Sequence, residues 1–389
     1  MVTIKNADAA LKDYYLDAFT AELNDHISPF FSAIEKNTEC VSGKDVKLSI
    51  VRNNRGGIVS GSEDADLPTP YKNRYINITL PLKNIYGTIE ISDKAMRASR
   101  ESAGAFVNLV NAEMDGLISS AKENFRRMLF GDGTGILCTI KSKSSSTLFK
   151  VDHVKAYYIG MEIDITNTQG DVIAGGSGYY ITEVDVKNRT IVINPGITES
   201  FTTGYVCAHG SRDKEILGLN TLFCGRKLYG VERTEEPYFI PYEVDTNGTL
   251  TLKKIIDIID YMEEFRDSKI NMILCSYKTR NMIAELADSS RRIVNTIDVN
   301  TGYGTVTVNN VPVYAEKYCN DNAMYFLNTD DFALYQLCDW EWLEDEDGKI
   351  LKQIPGKAAY SATLVKYAEL VCRKPFGQAI LLDFDSDFM

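Results

Sequence analysis

The clearest pattern in the sequence is a long stretch, residues 92–135, in which apolar residues recur every three or four positions. Between Phe106 and Leu129 this spacing places the apolar side chains on one face of a helix and the polar ones on the other. The pattern predicts a helix over residues 102–130 that ends at Gly131, where glycine permits a left-handed turn. It is longer than most globular helices, so we expect a strut along an extended molecule.

Two further patterns come before this helix. Residues 6–23 predict an amphipathic helix, and two interpretations stay open, docking on its own domain or on another subunit. Residues 44–82, the ribbon, contain two alternating strands that face each other across about 23 residues rich in Gly, Ser, Asp and Pro. Hairpin loops usually have about 2–5 residues. We therefore expect the ribbon to bury little within its own chain and to reach a neighbour.

After the helix the pattern changes to short β segments. Turn residues separate them at roughly 8–12 residue spacing over residues 138–214, which predicts a small β-barrel or sandwich that interrupts the fold. Helices over residues 250–265 and after Ser276, with strands between and behind them, predict an α/β layer. Asp347-Gly348 predicts a hairpin within residues 340–354, and residues 359–370 and 378–384 are apolar enough to be central strands.

Composition and charge mainly exclude functions. The 389 residues, 44% hydrophobic and 25% charged, are typical of a globular protein of two or three domains. A net charge of -12 is opposite to that of a protein that grips phosphates over a large basic surface, so sequence-specific nucleic-acid binding is not expected, and a local basic patch is left open. Because no apolar run approaches the roughly 18 residues of a membrane span, we expect a cytosolic chain.

Candidate chemistry is sparse. The eight cysteines form no C-x-x-C pair, and the three histidines, His26, His153 and His209, lie in different predicted elements. The glycines after the helix lack the lysine of a phosphate-binding loop, and the acidic run near Asp347 lacks the ligand spacing of a calcium loop. We expect no catalytic residues, no metal site and no cofactor, and hence a protein that is not an enzyme.

The order of these elements resembles the major capsid proteins of tailed bacteriophages, the Hong Kong phage capsid fold that encapsulin shells share. Three stretches carry the resemblance: ENFRRMLFGDGTGIL at residues 123–137, EILGLNTLF at residues 215–223 and SATLVKYAELVCRKPFGQAILLDF at residues 361–384. It covers nearly the whole chain except the interrupting β region.

This resemblance implies an α+β fold with an inserted small β-barrel or sandwich domain. It divides the chain into an N-terminal arm (1–43), an extended E-loop ribbon (44–90), a peripheral domain with the spine helix (91–137), the inserted β-domain (138–214), an axial α/β domain (215–337) and a return to the peripheral domain with a P-loop hairpin and the C-terminal strands (338–389). The apolar face of the spine helix is then expected to pack on residues 362–371.

The function that the resemblance implies is structural. Subunits would assemble as pentamers and hexamers into the icosahedral head of a tailed phage around double-stranded DNA, in the cytoplasm of a host bacterium. An encapsulin-like nanocompartment shell is the alternative. Expected partners are further copies of the chain, a separate scaffolding protein, a portal and a decoration protein, with no membrane. The candidate inter-subunit contacts are Arg52, Arg55, Glu63, Asp64, Asp66, Lys72, Arg74, Glu344, Asp345, Asp347, Lys349 and Lys352.

Overall fold

The structure, a computed structural model, describes residues 28–53, 60, 62–63, 74–94, 103–173, 177–199, 201, 203–289, 306–344 and 350–384. The α-helices are α1 (Pro29–Ala33), α2 (Ala103–Leu129), α3 (Leu252–Arg266) and α4 (Tyr277–Ser289). The strands are β1 (Glu35–Asn37), β2 (Val41–Ser42), β3 (Asp45–Asn53), β4 (Arg74–Pro81), β5 (Lys83–Ser92), β6 (Ile136–Lys143), β7 (Leu148–Val151), β8 (Glu162–Thr166), β9 (Tyr179–Asp185), β10 (Thr190–Asn194), β11 (Gly204–Ala208), β12 (Lys227–Leu228), β13 (Val231–Glu232), β14 (Tyr242–Gly248), β15 (Met272–Cys275), β16 (Val306–Val308), β17 (Val311–Ala315), β18 (Ala323–Leu327), β19 (Phe332–Trp342), β20 (Lys352–Gln353), β21 (Ala359–Cys372) and β22 (Ala379–Phe384). The predicted helix over residues 6–23 lies outside the described residues. Among the helices that the structure describes, none is both long and apolar enough to span a membrane.

The long predicted helix is present as α2 and packs on a five-stranded sheet. In that sheet β21 is central, pairing with β5 on one side and with β19 and β20 on the other. Leu117 of α2 lies against Gly87 of β5, where a Cβ would approach its Cδ1 to 2.7 Å. Further along α2, the ring of Phe125 meets that of Trp340 edge to face at 5.9 Å. The described part of the apolar face of α2 therefore shares one core with the C-terminal strands.

The end of α2 differs from the prediction in one detail. Gly131 does not take the left-handed conformation; the positive φ angles occur at Gly133 (82°) and Gly135 (74°). The amides of Phe130 and Gly131 donate to carbonyls three residues earlier, which tightens the last turn of the helix. The first left-handed residue after the helix is therefore Gly133, two residues later than the pattern predicts.

The two ribbon strands pair as the alternation predicts. In the three-stranded sheet β2-β3-β4, Val46 lies opposite Leu80 and Ile50 opposite Ile76. Val46, Ile50 and Leu80 are buried in the same core as α2. The expectation that the ribbon buries little in its own chain is therefore wrong for its base, because an apolar face next to the main core is buried there. The described residues of its distal part are 60, 62 and 63.

Six strands from β6 to β11 close into a barrel of order β10-β7-β6-β11-β8-β9. Its interior is filled by apolar side chains such as Ile140, Phe149 and Ile163, as expected for a small barrel. Of the predicted β segments, residues 171–175 are not a strand in the described part, where Val172 makes an isolated bridge to Thr166. That the barrel is an insertion remains a prediction.

A six-stranded mixed sheet of order β14-β22-β18-β15-β17-β16 forms the α/β region with α3 and α4. The hairpin between β16 and β17 turns at Asn309 and Asn310, whose φ angles of 50° and 64° fit the turn that the sequence predicts. Ser276 caps α4, its hydroxyl accepting a hydrogen bond from the amide of Thr279 at 3.2 Å.

The pairing predicted around Asp347-Gly348 is wrong in the described residues. The amide of Leu343 donates to the carbonyl of Thr363 at 2.8 Å, and that of Ile354 to the carbonyl of Ala359 at 2.9 Å. Both segments that flank the turn therefore line up along β21 instead of pairing with each other. The long edge of β21 supplies more backbone partners than a local hairpin, and a turn signal carries no information about such a strand.

Candidate functional site

A buried polar cluster lies where α2 packs on the five-stranded sheet. Lys366 of β21 is fully buried beneath the helix, and its ammonium group donates to Gln336 Oε1 and to Asp339 Oδ1, both at 2.8 Å. It also lies 5.8 Å from the ring centre of Phe125 and 5.7 Å from that of Trp340. Burial lowers the pKa of Lys366 despite the nearby carboxylate of Asp339. This cluster fixes α2 on the sheet.

The C-terminal end of α2 is tied to the rest of the chain by buried charges. The guanidinium of Arg127 donates to both carboxylate oxygens of Glu215, at 2.8 and 2.6 Å. Its neighbour Arg126 pairs with the fully buried Glu316 at 2.8 Å. One turn earlier, Glu123 accepts hydrogen bonds from Lys317 and Tyr318. The segment after the barrel and the α/β region are thus both held by one helix end.

The titration of Glu123 reflects that junction. Burial by itself would raise the pKa of this carboxyl group, but the hydrogen bonds from Lys317 and Tyr318 outweigh it and leave the pKa lowered.

The backbone of the segment after the barrel packs closely against the end of α2. A Cβ on Gly218 would lie 2.3 Å from the carbonyl oxygen of Met128 and 2.6 Å from that of Gly131, so glycine is required for the chain to cross the helix end.

Another buried carboxyl group, Glu369 on β21, has no cationic side chain as a hydrogen-bond partner in the described residues. Its Oε1 accepts from the amides of Leu217 at 2.6 Å and Leu370 at 3.2 Å. Complete burial raises the pKa of Glu369 to about 8, more than these amides lower it. It is therefore mostly protonated at neutral pH.

The outer ends of the two ribbon strands are joined to the same chain by a different kind of contact. Arg52 and Arg74 lie at these ends, and both pair with Glu236, at 3.1 and 2.7 Å. Arg74 is largely exposed, whereas Glu236 is largely buried. This carboxylate holds the ribbon strands beside the 3₁₀ helix Pro237–Phe239.

The outer face of the ribbon changes character along its length. Near the base it is polar, with Ser49 donating to the side chain of Asn77 at 2.7 Å. Farther out, Val51 and Tyr75 lie directly opposite each other, 39% and 56% exposed. Large exposed apolar side chains placed together are typical of a contact surface more than of a free strand end. No part of the described chain buries this pair.

The structure places five of the predicted contact residues. Arg52 and Arg74 come together on Glu236, Glu63 and Glu344 are exposed, and Lys352 is half-buried at the start of β20. The remaining predicted contacts lie outside the described residues: Arg55, Asp64, Asp66, Lys72, Asp345, Asp347 and Lys349. Whether any of the predicted set meets another subunit stays a prediction.

Sequence reasoning missed the residues that organise these surfaces. Nothing in the local pattern marks Glu236, Glu215 or Glu369, because each acts on a partner distant in sequence. Arg52 and Arg74 are not a regular cross-strand pair either. Asn53 lies opposite Arg74, and the register shifts between Val51 and Asn53, so strand alternation alone does not predict that both arginines reach Glu236.

Acid, base and metal chemistry has little support in the described residues. They contain no group of three or more His, Cys, Asp or Glu side chains that could hold a metal ion. The Nδ1 atom of His209 lies 2.8 Å from Asp164 Oδ1, while Asp164 Oδ2 accepts the amide of Gly210 at 2.8 Å. This pair fixes a turn of the barrel. The candidate site is therefore a set of surfaces around α2 and the ribbon.

Comparison with solved structures identifies the fold. The capsid of cyanophage A-1(L) aligns over 90% of this chain and 90% of its own, with a TM-score of 0.53 at 12% identity. The capsid of an empty GTA particle aligns over 92% of this chain and 91% of its own, with a TM-score of 0.52 at 10% identity. No family model and no curated protein sequence matches the chain.

The chain therefore has the fold of phage major capsid proteins, and the α+β class that the resemblance implies is confirmed. The likeness extends over about nine tenths of both chains. At identities this low it establishes the fold and leaves function to be argued from the surfaces.

Proposed function

We propose that this chain is the subunit of a closed protein shell, and more specifically the major capsid protein of a tailed phage, which assembles as pentamers and hexamers around double-stranded DNA. The observation that supports this most directly is a capsid fold whose ribbon carries the exposed pair Val51 and Tyr75 on its outer face, while its inner face is buried in the same chain. An anchored element with exposed apolar side chains can join neighbouring copies.

The acidic chain suits a container. With a net charge of -12, its surface repels packaged DNA more than it holds it, and the enclosure needs no base-specific contacts. A separate scaffolding protein, a portal and a decoration protein are the partners we propose, with assembly in the cytoplasm of a host bacterium and a final location in the virion capsid.

Negative-stain microscopy of the expressed chain, alone and with its genomic neighbours, tests the proposal. We expect closed shells of uniform diameter that contain DNA when the packaging genes are present. Shells that instead enclose a neighbouring gene's protein would favour the encapsulin-like alternative. A chain that stays monomeric under every condition, including co-expression with its neighbours, would contradict the shell function altogether.

The ribbon contact has its own test. Replacing Val51 and Tyr75 with serine removes apolar area at an exposed site, so we expect the subunit to keep its stability to within about 0.5 kcal/mol while assembly falls at least several-fold. Light scattering during assembly measures the loss. Thr79→Ser, on the same ribbon face near the base, is the matched control. Equal assembly of both variants would remove the proposed contact.

A further inference from the structure

A cleft of about 750 Å³ lies where the end of α2, the barrel and residues 318–322 of the α/β region meet. Its volume is within the range of about 300–1,000 Å³ that small-molecule sites usually have. Neither the shell function nor the contacts that hold α2 account for it. Its walls come from three parts of the chain, and one contact between them, Lys155 Nζ to Asp321 Oδ1 at 2.8 Å, spans the barrel and the α/β region.

The cleft is cationic in a strongly acidic protein. Among its lining residues, four carry positive charge and two carry negative charge, a difference of +2, whereas the whole chain carries -12. The cationic residues are Arg127, Lys155, Arg189 and Lys278, and the anionic ones are Asp152 and Asp321. Pairing of Arg127 with Glu215, which does not line the cleft, reduces this excess to +1.

One cationic group of the cleft has no carboxylate partner. Arg189, exposed at its edge, donates to the backbone carbonyl of Asp152 at 3.3 Å and pairs with no carboxylate in the part of the chain that the structure describes. A guanidinium has five N–H groups, so Arg189 can also donate to an oxyanion.

Apolar and aromatic side chains line the rest of the cleft. Phe130, Ile136 and Val154 lie beside the donors, and Tyr318 contributes a ring whose hydroxyl is already committed to Glu123 at 2.7 Å. Such walls suit a flat organic group attached to the anion. We propose that this cleft binds a small phosphorylated ligand of nucleotide size, with the phosphate at Arg189 and Lys278 and the organic part against the apolar wall.

Calorimetric titration of the full chain with AMP, inorganic phosphate and adenosine at constant ionic strength tests this proposal. We expect AMP to bind more tightly than phosphate, because it adds the apolar contacts, and adenosine to bind at least ten-fold more weakly than AMP. The double variant Arg189→Gln/Lys278→Gln should weaken AMP at least ten-fold. Thermal unfolding without ligand verifies that this variant is folded.

Lys187→Gln is the matched control, since Lys187 is exposed on the same barrel turn and does not line the cleft. It should bind AMP as the parent chain does. Absence of AMP binding at millimolar concentration, or equal affinity in the double variant and the parent, would overturn the proposal. So would a short DNA duplex, which is too large for the cleft, if it bound as tightly per phosphate as AMP and lost affinity in the same double variant.

Discussion

The end of α2 and the outer ends of the ribbon strands use arginine in opposite ways. Arg127 and its partner Glu215 have side chains that are 8% and 3% exposed and are joined by two hydrogen bonds. Arg74 is 65% exposed and makes one such bond to Glu236. A buried pair becomes costly when one member is lost, while a surface pair contributes little. Loss of one charge should therefore cost far more stability at the helix end than at Arg74.

Breaking the buried pair should produce the largest effect. Arg127→Met leaves the Glu215 carboxylate buried without a counter-charge, so we expect a loss of about 3–5 kcal/mol in the free energy of unfolding. Denaturant unfolding of the unassembled subunit measures it. The double variant Arg127→Met/Glu215→Leu should recover much of the loss. If the single variant lost under about 1 kcal/mol, the pair at the helix end would resemble the exposed pair of Arg74 and the contrast would disappear.

A second prediction concerns Glu369, which is buried and, in the described residues, has only backbone amides as hydrogen-bond donors. Its pKa is raised from the ordinary 4.5 to about 8, so the folded state binds the proton more tightly than the unfolded chain. Stability is then lost as pH rises between these values, by roughly 1.4 kcal/mol per pH unit, or about 2–3 kcal/mol from pH 6 to pH 8. Unfolding measured at several pH values should show this slope.

Glu369→Gln keeps an oxygen that can accept from the amide of Leu217 and removes the titration. Its stability should change less over the same pH range, and the two chains should differ most at the alkaline end. Asp383→Asn, at an exposed position of β22, is the control, and it should follow the parent chain. Parallel pH profiles for Glu369→Gln and the parent would show that this carboxyl group is not the source of the dependence.

What the sequence predicts depends on how far apart the interacting residues are. The length of α2, the pairing of the two ribbon strands and the Asn309-Asn310 turn follow from local spacing, and the structure has all three. The pairing of Arg127 with Glu215 joins residues 88 positions apart, and no local pattern encodes it. The wrong hairpin near Asp347 has the same origin, because a distant strand outcompetes a nearby turn partner.

The sequence likewise predicts one part of the candidate site and not another. The alternation predicts that the ribbon has an outer face, and resemblance to a known fold predicts that this face meets another subunit. Neither predicts that its base is buried, since burial of Val46 and Leu80 depends on the sheet beneath α2, which β21 builds from the other end of the chain.

Backbone contact at the helix end gives an intermediate effect. Gly218→Ala would push a Cβ into the carbonyl oxygens of Met128 and Gly131, so we expect a loss of about 1–3 kcal/mol in the free energy of unfolding. Gly116→Ala within α2 meets nothing within 4 Å and should stabilise the helix by about 0.5–1 kcal/mol. Denaturant unfolding compares the two. Equal effects of the same sign would mean that the crossing at Gly218 is not close-packed.

The smallest effect is expected at Arg74, at the outer end of the ribbon strands. Arg74→Gln removes one surface pair, while Arg52 remains within 3.1 Å of Glu236, so the free energy of unfolding should change by less than about 1 kcal/mol. What remains of the effect should decrease as salt is added, because exposed charges are screened, whereas the loss in Arg127→Met should persist. Unfolding at low and high salt separates these outcomes. A loss at Arg74 that is large and independent of salt would make this end of the ribbon part of the rigid core.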